Sequence, residues 1–414
     1  MYGSVPTSPR SVDEYRHIIG DRKIDELREL AAPLRGARVL HVNATAFGGG
    51  VAEILGTLVP LMNDLGLQAD WQVIRGADEF YKVTKAMHNA LQGMYIQWTA
   101  EMYDIWRRYN EMNAELFDQQ YDFIVIHDPQ PAGILHFLRR WRSPCQTGKW
   151  IWRCHIDLSE AQPDIWDFLR PYVEQYDAVI FTLEDFVKSD LRIPHVMIIP
   201  PAIDPLSPKN MDISPEMARE LVQAHGIDVD RPFICQVARF DPWKDPLGVI
   251  DTYRLVRQQV PGLQLVMVAG MANDDPEGWS FFERTARRAG EDYDIHLLIN
   301  VGNTGVNAIQ RMARVIVQKS TREGFGLVVS EALWKGRPVV AGNAGGIPLQ
   351  IVYGKNGYLV NTIPECADRV LFLLNRPDRA DRMGRAGKEV VRENFLTTRY
   401  LRDSLRLFST LKSA

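Results

Sequence analysis

Most features that usually announce a protein's partners are scarce in this 414-residue sequence, and each shortage narrows its function. Cysteine is rare: Cys145, Cys154, Cys235 and Cys366 are scattered, with neither disulfide-framework nor metal-ligand spacing, which suits a reducing cytoplasm. No apolar run approaches the length needed to cross a membrane. The first ten residues are polar, with two prolines and no apolar core, so no signal peptide is expected. The net charge is only −4, which argues against nucleic acid or an anionic membrane as a partner. Any anionic ligand must therefore be met by local cations. No His-Glu-x-x-His and no cysteine–histidine cluster is available for a metal, so none is expected.

What is present is ordinary globular material, 46% hydrophobic and 24% charged, long enough for two or three domains. After a charged helical stretch (11–32), short apolar strands alternate with helices. Strands are expected at 38–43, 71–74, 121–127, 149–155, 178–182 and 196–199. A second series falls at 232–239, 263–269, 295–299, 315–317, 338–341 and 357–360. Such alternation implies two parallel sheets covered by helices on both faces, an α/β architecture whose ligands sit beyond the carboxyl ends of the strands. The proline-dense stretch 200–208 marks the boundary. The expected domains are 1–205 plus 396–414, and 206–395, with a last helix near 398–411 packing back on the first. Two such domains facing each other would share one central cleft. Residues 78–118 lack strand signals; Trp98, Met102 and Trp106 recur at helical spacing. Packing is the usual role of such a face, and a homodimer interface is the second reading.

Several strand ends carry chemistry. Gly48-Gly49-Gly50 follows the first strand and opens a helix, letting backbone approach a ligand, although a tight turn without a ligand reads the same. It is neither Gly-x-Gly-x-x-Gly nor a P-loop. Arg239 and Lys244 lie in the turn after the strand that opens the second half, suited to a diphosphate: Arg offers a fork, Lys a point charge. His127-Asp128 and Arg153-Cys154-His155-Ile156-Asp157 end two strands of the first half and argue for a polar site. Glu323-Gly324-Phe325-Gly326-Leu327 leads into a helix that carries Glu331. Its start, expected near Phe325, offers unpaired N–H groups to a phosphate, while the two carboxylates can accept from sugar hydroxyls. Gly342-Asn343-Ala344-Gly345-Gly346-Ile347-Pro348 is one more strand-ending loop that could meet a phosphate or sugar.

Taken in order, the 48–50 glycines, Arg239 with Lys244, and Glu323-x7-Glu331 around Gly-Phe-Gly resemble the retaining GT-B glycosyltransferases of the glycogen-synthase and sucrose-synthase type. The resemblance spans nearly the whole chain. Within that group, Gly48–Glu53, Thr84–Gly93, His127–Gln130, Trp152–Asp157 and Val237–Asp245 are similar to the nucleotide-sugar-dependent trehalose synthases. Trehalose phosphorylases share much of this signature, so the leaving group stays open between a nucleoside diphosphate and phosphate.

The resemblance implies two Rossmann-like domains. It also implies an enzyme forming trehalose from ADP- or UDP-glucose and free glucose, with small-molecule substrates, no obligatory cofactor and Mg²⁺ at most a stimulant. By the same resemblance, Arg239 and Lys244 hold the diphosphate and Glu331 the ribose. Glu323 and the backbone of Gly324, Phe325 and Gly326, with Leu327 opening the helix, hold the donor glucose. His155 lies near the reacting carbon, and the loop bearing Gly49 and Gly50 closes on phosphate and acceptor. Asp128, Asp157, Arg153 and His88 would line the acceptor side.

Overall fold

The apolar runs become parallel strands. The computed structural model describes residues 3–270 and 276–413, and the chain divides between Ala202 and Ile203 and again between Leu396 and Thr397. The first unit therefore carries both chain ends. These divisions lie within three residues of the expected 205/206 and 395/396.

The first unit contains β1 (Gly3–Ser4), β2 (Arg38–Asn43), β3 (Gln68–Val73), β4 (Phe123–His127), β5 (Lys149–Arg153), β6 (Ala178–Phe181) and β7 (His195–Ile198). They form one sheet in the order β1-β3-β2-β4-β5-β6-β7, parallel except for β1, which pairs antiparallel to β3. Leu40, Val42, Ile124, Ile126, Trp150 and Trp152 enter one core on one face. Because side chains alternate along a strand, Val39, His41, Phe123, Val125, His127 and Arg153 point to the other face. The last helix, Thr397–Ser413, packs there, with Phe408 stacked on Phe123 at 4.6 Å between ring centroids.

The second unit contains β8 (Phe233–Val237), β9 (Gln264–Ala269), β10 (Ile295–Ile299), β11 (Val315–Gln318), β12 (Val339–Gly342) and β13 (Gly357–Val360). All are parallel, in the order β10-β9-β8-β11-β12-β13. Its separate core includes Ile234, Leu265, Met267, Val315, Val317 and Val340. Each sheet thus has a point where strand order reverses, between β2 and β4 in one and β8 and β11 in the other. Crevices at the carboxyl ends beside such a reversal are where doubly wound sheets bind ligands.

Four local expectations need correction. The 11–32 stretch is broken into Val12–Tyr15, Arg16–Ile19 and Asp21–Ala31, because Gly20 sits at φ 82° between the last two. The helix Pro215–Gln223, capped by Ser214, and the edge strand β1 were not foreseen. Trp98 lies outside the helix Ala100–Glu115, whose N-cap is Thr99. Trp106 is fully buried, and Trp98, Met102, Ile105 and Tyr109 pack against the same core, so this aromatic face is turned inward.

Candidate active site

In the second unit, the turns after β8 and β11 are tied together. After β8 the chain makes a short turn, Pro242–Lys244, capped by the Asp241 carboxylate, which accepts from the Lys244 N–H at 3.1 Å. Asp245 follows at φ 46° and caps the helix Pro246–Arg257. Gly248 is required by that cap, since a Cβ would stand 2.2 Å from the Asp245 carboxylate. The Thr321 N–H donates to the Trp243 carbonyl at 2.8 Å, joining this turn to the loop after β11. Across the junction Lys244 Nζ donates to Glu323 Oε2 at 2.6 Å, Ser320 Oγ donates to the same oxygen at 3.2 Å, and Lys319 pairs with Asp245. Arg239 lies beside them, more than half exposed, 3.6 Å from the Asp241 carboxylate. The strand-order reversal therefore gathers Arg239, Lys244, Lys319 and Glu323, four charges at one sheet edge.

The helix begins at Leu327, two residues later than expected, with Gly326 as N-cap in the left-handed region at φ 82°. Its first N–H groups have no acceptor within the helix and carry partial positive charge. Phe325 is buried against Phe395 and contributes only backbone here. Gln350 fixes that backbone, donating to the Phe325 carbonyl at 2.6 Å while accepting from Ser330 Oγ at 2.6 Å. The glycines of 342–346 serve packing. A Cβ on Gly342 would stand 1.9 Å from the Ser320 carbonyl oxygen, and one on Gly345 1.5 Å from that of Glu323. This loop is the floor beneath Glu323.

Glu331 has an unexpected environment. It is fully buried, 2.9 Å from Lys209 Nζ, and its Oε2 accepts from Gln310 at 3.3 Å. Burial alone would raise its pKa, but Lys209 and Lys335 outweigh it and hold the carboxyl below its ordinary range. Sequence reading missed Lys209; it lies at the edge of the proline-rich boundary, where no periodicity marks a side chain as paired.

In the first unit the strand ends hold a different kind of site. His41, within β2, directs Nδ1 at His127 Nε2 (3.1 Å), and His127 Nδ1 meets His155 Nε2 (2.9 Å). Three imidazoles thus run across β2, β4 and the end of β5. Burial pushes all three toward the neutral form: His41 is lowered to about 3, and His127 and His155 well below the ordinary value. Asp128, at φ 65°, accepts from the His155 N–H at 2.7 Å, and burial pushes its carboxyl up to about 6. Arg153 is fully buried; Nη2 reaches Thr182 Oγ1 at 3.4 Å, while Nε and Nη1 have no partner among the described residues. Asp157 is buried and holds its own loop, accepting from the N–H and hydroxyl of Ser159. His88 lies half-buried on the last turn of the helix Asp78–Leu91. Gly48 and Gly49 take φ 72° and 82°, with open space where a Cβ would stand, and lead into the helix Gly50–Asp64.

Among the described residues no three metal-ligating side chains cluster. The chain does contain two Asp-x-Asp pairs, Asp228/Asp230 and Asp292/Asp294, but arginines occupy them: Arg219 on Asp230, and Arg231 and Arg257 on Asp292 and Asp294. No helix of the described residues is long and apolar enough to cross a membrane, and the four cysteines are buried and unbonded.

Residues 41–188 match the family described as "Trehalose synthase, N-terminal domain", and residues 217–390 match "Glycosyl transferases group 1". A trehalose synthase from Rubrobacter xylanophilus is 52% identical over 99% of each chain. The chain belongs to the trehalose synthase family. A trehalose phosphorylase from Pleurotus pulmonarius is more distant, 29% identical over 84% of this chain and 54% of its own length. The solved sucrose-phosphate synthase from Thermosynechococcus elongatus superposes with a TM-score of 0.72 at 16% identity, covering 91% of this chain and 99% of that one. The fold is GT-B, as expected, and family membership makes the chain an enzyme of trehalose-related glycosyl transfer. Both strand-end clusters fall inside the matched segments: the imidazoles within 41–188, and Arg239 through Glu331 within 217–390.

Proposed function

We propose that the enzyme is a retaining glucosyltransferase that makes trehalose from a nucleoside-diphosphate glucose and free glucose. The observation that carries this reading is the Lys244–Glu323 pair at the strand-order reversal of the second unit, with Arg239 beside it and a helix start behind it. The donor diphosphate takes Arg239, Lys244 and the N–H groups opened by Gly326 and Leu327. Glu323 accepts from the glucose hydroxyls once Lys244 turns to the phosphates. Glu331 takes the ribose diol only by exchanging Lys209 and Gln310 for it, so Lys209 belongs to the nucleotide side. His155 meets the donor glucose near its anomeric carbon, the loop with Gly49 and Gly50 closes on phosphate and acceptor, and Asp128, Asp157, Arg153 and His88 serve the acceptor side. The bond from the anomeric carbon to the diphosphate breaks. A bond to the acceptor's anomeric oxygen forms on the same face, and the acceptor proton passes to the leaving phosphate oxygen. This route needs no pair of carboxylates flanking the bond, of the kind a glycoside hydrolase uses. Rate then comes from cations placed where the leaving group gains charge.

The direct test is product analysis. ADP- or UDP-glucose with glucose gives trehalose, and trehalose with the nucleoside diphosphate gives the nucleotide sugar back. Glucose 1-phosphate formed from trehalose and inorganic phosphate would instead make the enzyme a phosphorylase. Glucose 6-phosphate is a poor acceptor on this reading, since a second phosphate needs its own cation contacts.

A further inference from the structure

The imidazole chain has a direction. Each of its two hydrogen bonds joins one protonated and one bare ring nitrogen, and a neutral ring has one of each. Only two neutral arrangements therefore satisfy both contacts. In the first, every ring is protonated at Nδ1: His41 donates to His127, His127 donates to His155, and His155 keeps an Nδ1–H to offer outward. In the second, every ring is protonated at Nε2 and the donors run the opposite way.

The far end decides between them. His41 Nε2 is buried without a hydrogen-bond partner among the described residues. The second arrangement would strand an N–H there, and orphaned buried N–H donors are rarer than under-satisfied acceptors. The first leaves only a bare nitrogen. At the near end His155 is partly exposed, and its Nδ1 makes no hydrogen bond among the described residues, so a proton there faces outward at no such cost. A protonated ring within the chain is disfavoured as well, because the buried Arg153 guanidinium already places a fixed positive charge beside His127 and His155.

We propose that His41 and His127 are positioning residues that hold His155 in the Nδ1–H form, so that it acts toward the sugar as a hydrogen-bond donor and never as a base. The part that concerns the sugar rests on the proposed contact between His155 and the donor glucose. The tautomer of the chain does not. This assignment fits a reaction in which the acceptor proton leaves with the phosphate, since the only other nitrogen of His155 is engaged by His127.

The test is ¹⁵N NMR of the full-length, unliganded enzyme labelled at histidine, with the three rings assigned by single substitutions. The expected spectrum shows Nδ1 protonated and Nε2 bare in His41, His127 and His155, unchanged between pH 8 and pH 6. Protonation at Nε2, or rings titrating near pH 6.5, would overturn the proposal. Kinetics supply the second arm. His41→Leu, which removes the terminal donor, is expected to lower kcat about tenfold, the low end of losing a partner that orients a histidine. His41→Asn, which retains an amide N–H near the Nδ1 position, restores most of that loss. Equal defects in the two variants, with the His155 signal unmoved, would refute a positioning role. If the NMR arm holds but His155→Ala leaves kcat intact, the chain stands and the sugar contact is what fails.

Discussion

Both units are doubly wound sheets with one strand-order reversal each, and they use it for opposite electrostatics. Beside the strand reversal of the second unit stand formal charges in pairs, Lys244 with Glu323, Lys319 with Asp245 and Lys209 with Glu331. At the corresponding place in the first unit stand three rings kept neutral by burial, a carboxyl pushed up to about 6, and one buried guanidinium with two nitrogens unpartnered among the described residues. A doubly wound sheet thus fixes where a site lies, while the side chains at the strand ends choose its chemistry. Charge pairs suit a ligand that brings its own charge and can exchange partners with them. A neutral hydrogen-bond chain suits an uncharged sugar.

The largest expected effect tests the charged half. Lys244→Ala should lower kcat by roughly 10²–10³-fold, as loss of one preorganised electrostatic partner does. On the proposed reading donor KM should move much less, with Arg239 and the helix start still holding the ground-state phosphates. Steady-state kinetics with donor varied at saturating glucose reads this; a large rise in KM at constant kcat would make Lys244 a uniform binder. The sequence suggests an exposed lysine whose loss leaves folding untouched. The structure pairs it with Glu323 and buries most of it, so a modest drop in melting temperature is also expected.

Next in size is Lys209→Ala. It leaves Glu331 buried with Lys335 and Gln310 for company, and should cost roughly 3 kcal/mol of stability, the low end for breaking a buried pair. Urea unfolding of Lys209→Ala, Glu331→Gln and the double variant measures the coupling. A coupling near zero would mean that the pair contributes nothing to the fold.

Acid should separate the halves. His41 and His127 have folded pKa values depressed below 6.5, so their unfolded forms bind more protons below that pH. Stability is complete above pH 6.5 and falls by about 1.4 kcal/mol per ring per pH unit beneath it. Asp128 has the opposite sign: raised to about 6, it offsets one ring between pH 6 and its ordinary value of 3.8. In the second unit Glu331 is depressed, so its contribution is present above about pH 4.5, its ordinary value, and is lost only at lower pH. The first unit should therefore destabilise first on acidification. Calorimetry between pH 7 and 5, with fluorescence from the buried Trp106, Trp150 and Trp152, checks the order. Simultaneous loss of both units at each pH would contradict it.

The smallest effect is expected from chelation. Thorough treatment with a chelator should leave most activity if, as proposed, the diphosphate charge meets Arg239, Lys244 and a helix start. Complete loss, restored by Mg²⁺, would mean that the charged half works through an ion.

By itself the sequence determined the alternation of strand and helix, the two-sheet architecture and the strand ends that bear chemistry. All of these follow from short-range periodicity and from turn residues. It also brought Arg239, Lys244, Glu323 and His155 forward as candidates, since each ends or follows a strand. Only the tertiary structure decided who meets whom. Lys244 and Glu323 are 79 residues apart and meet because β8 and β11 are neighbours. His41 hides in mid-strand among apolar residues and becomes part of a chain because β2 adjoins β4. Gly342 and Gly345, in a loop that by sequence could meet a phosphate or sugar, must be glycines because backbone from another loop occupies the space of their side chains. Pairings like these depend on strand order, and spacing along a chain does not encode which strands become neighbours.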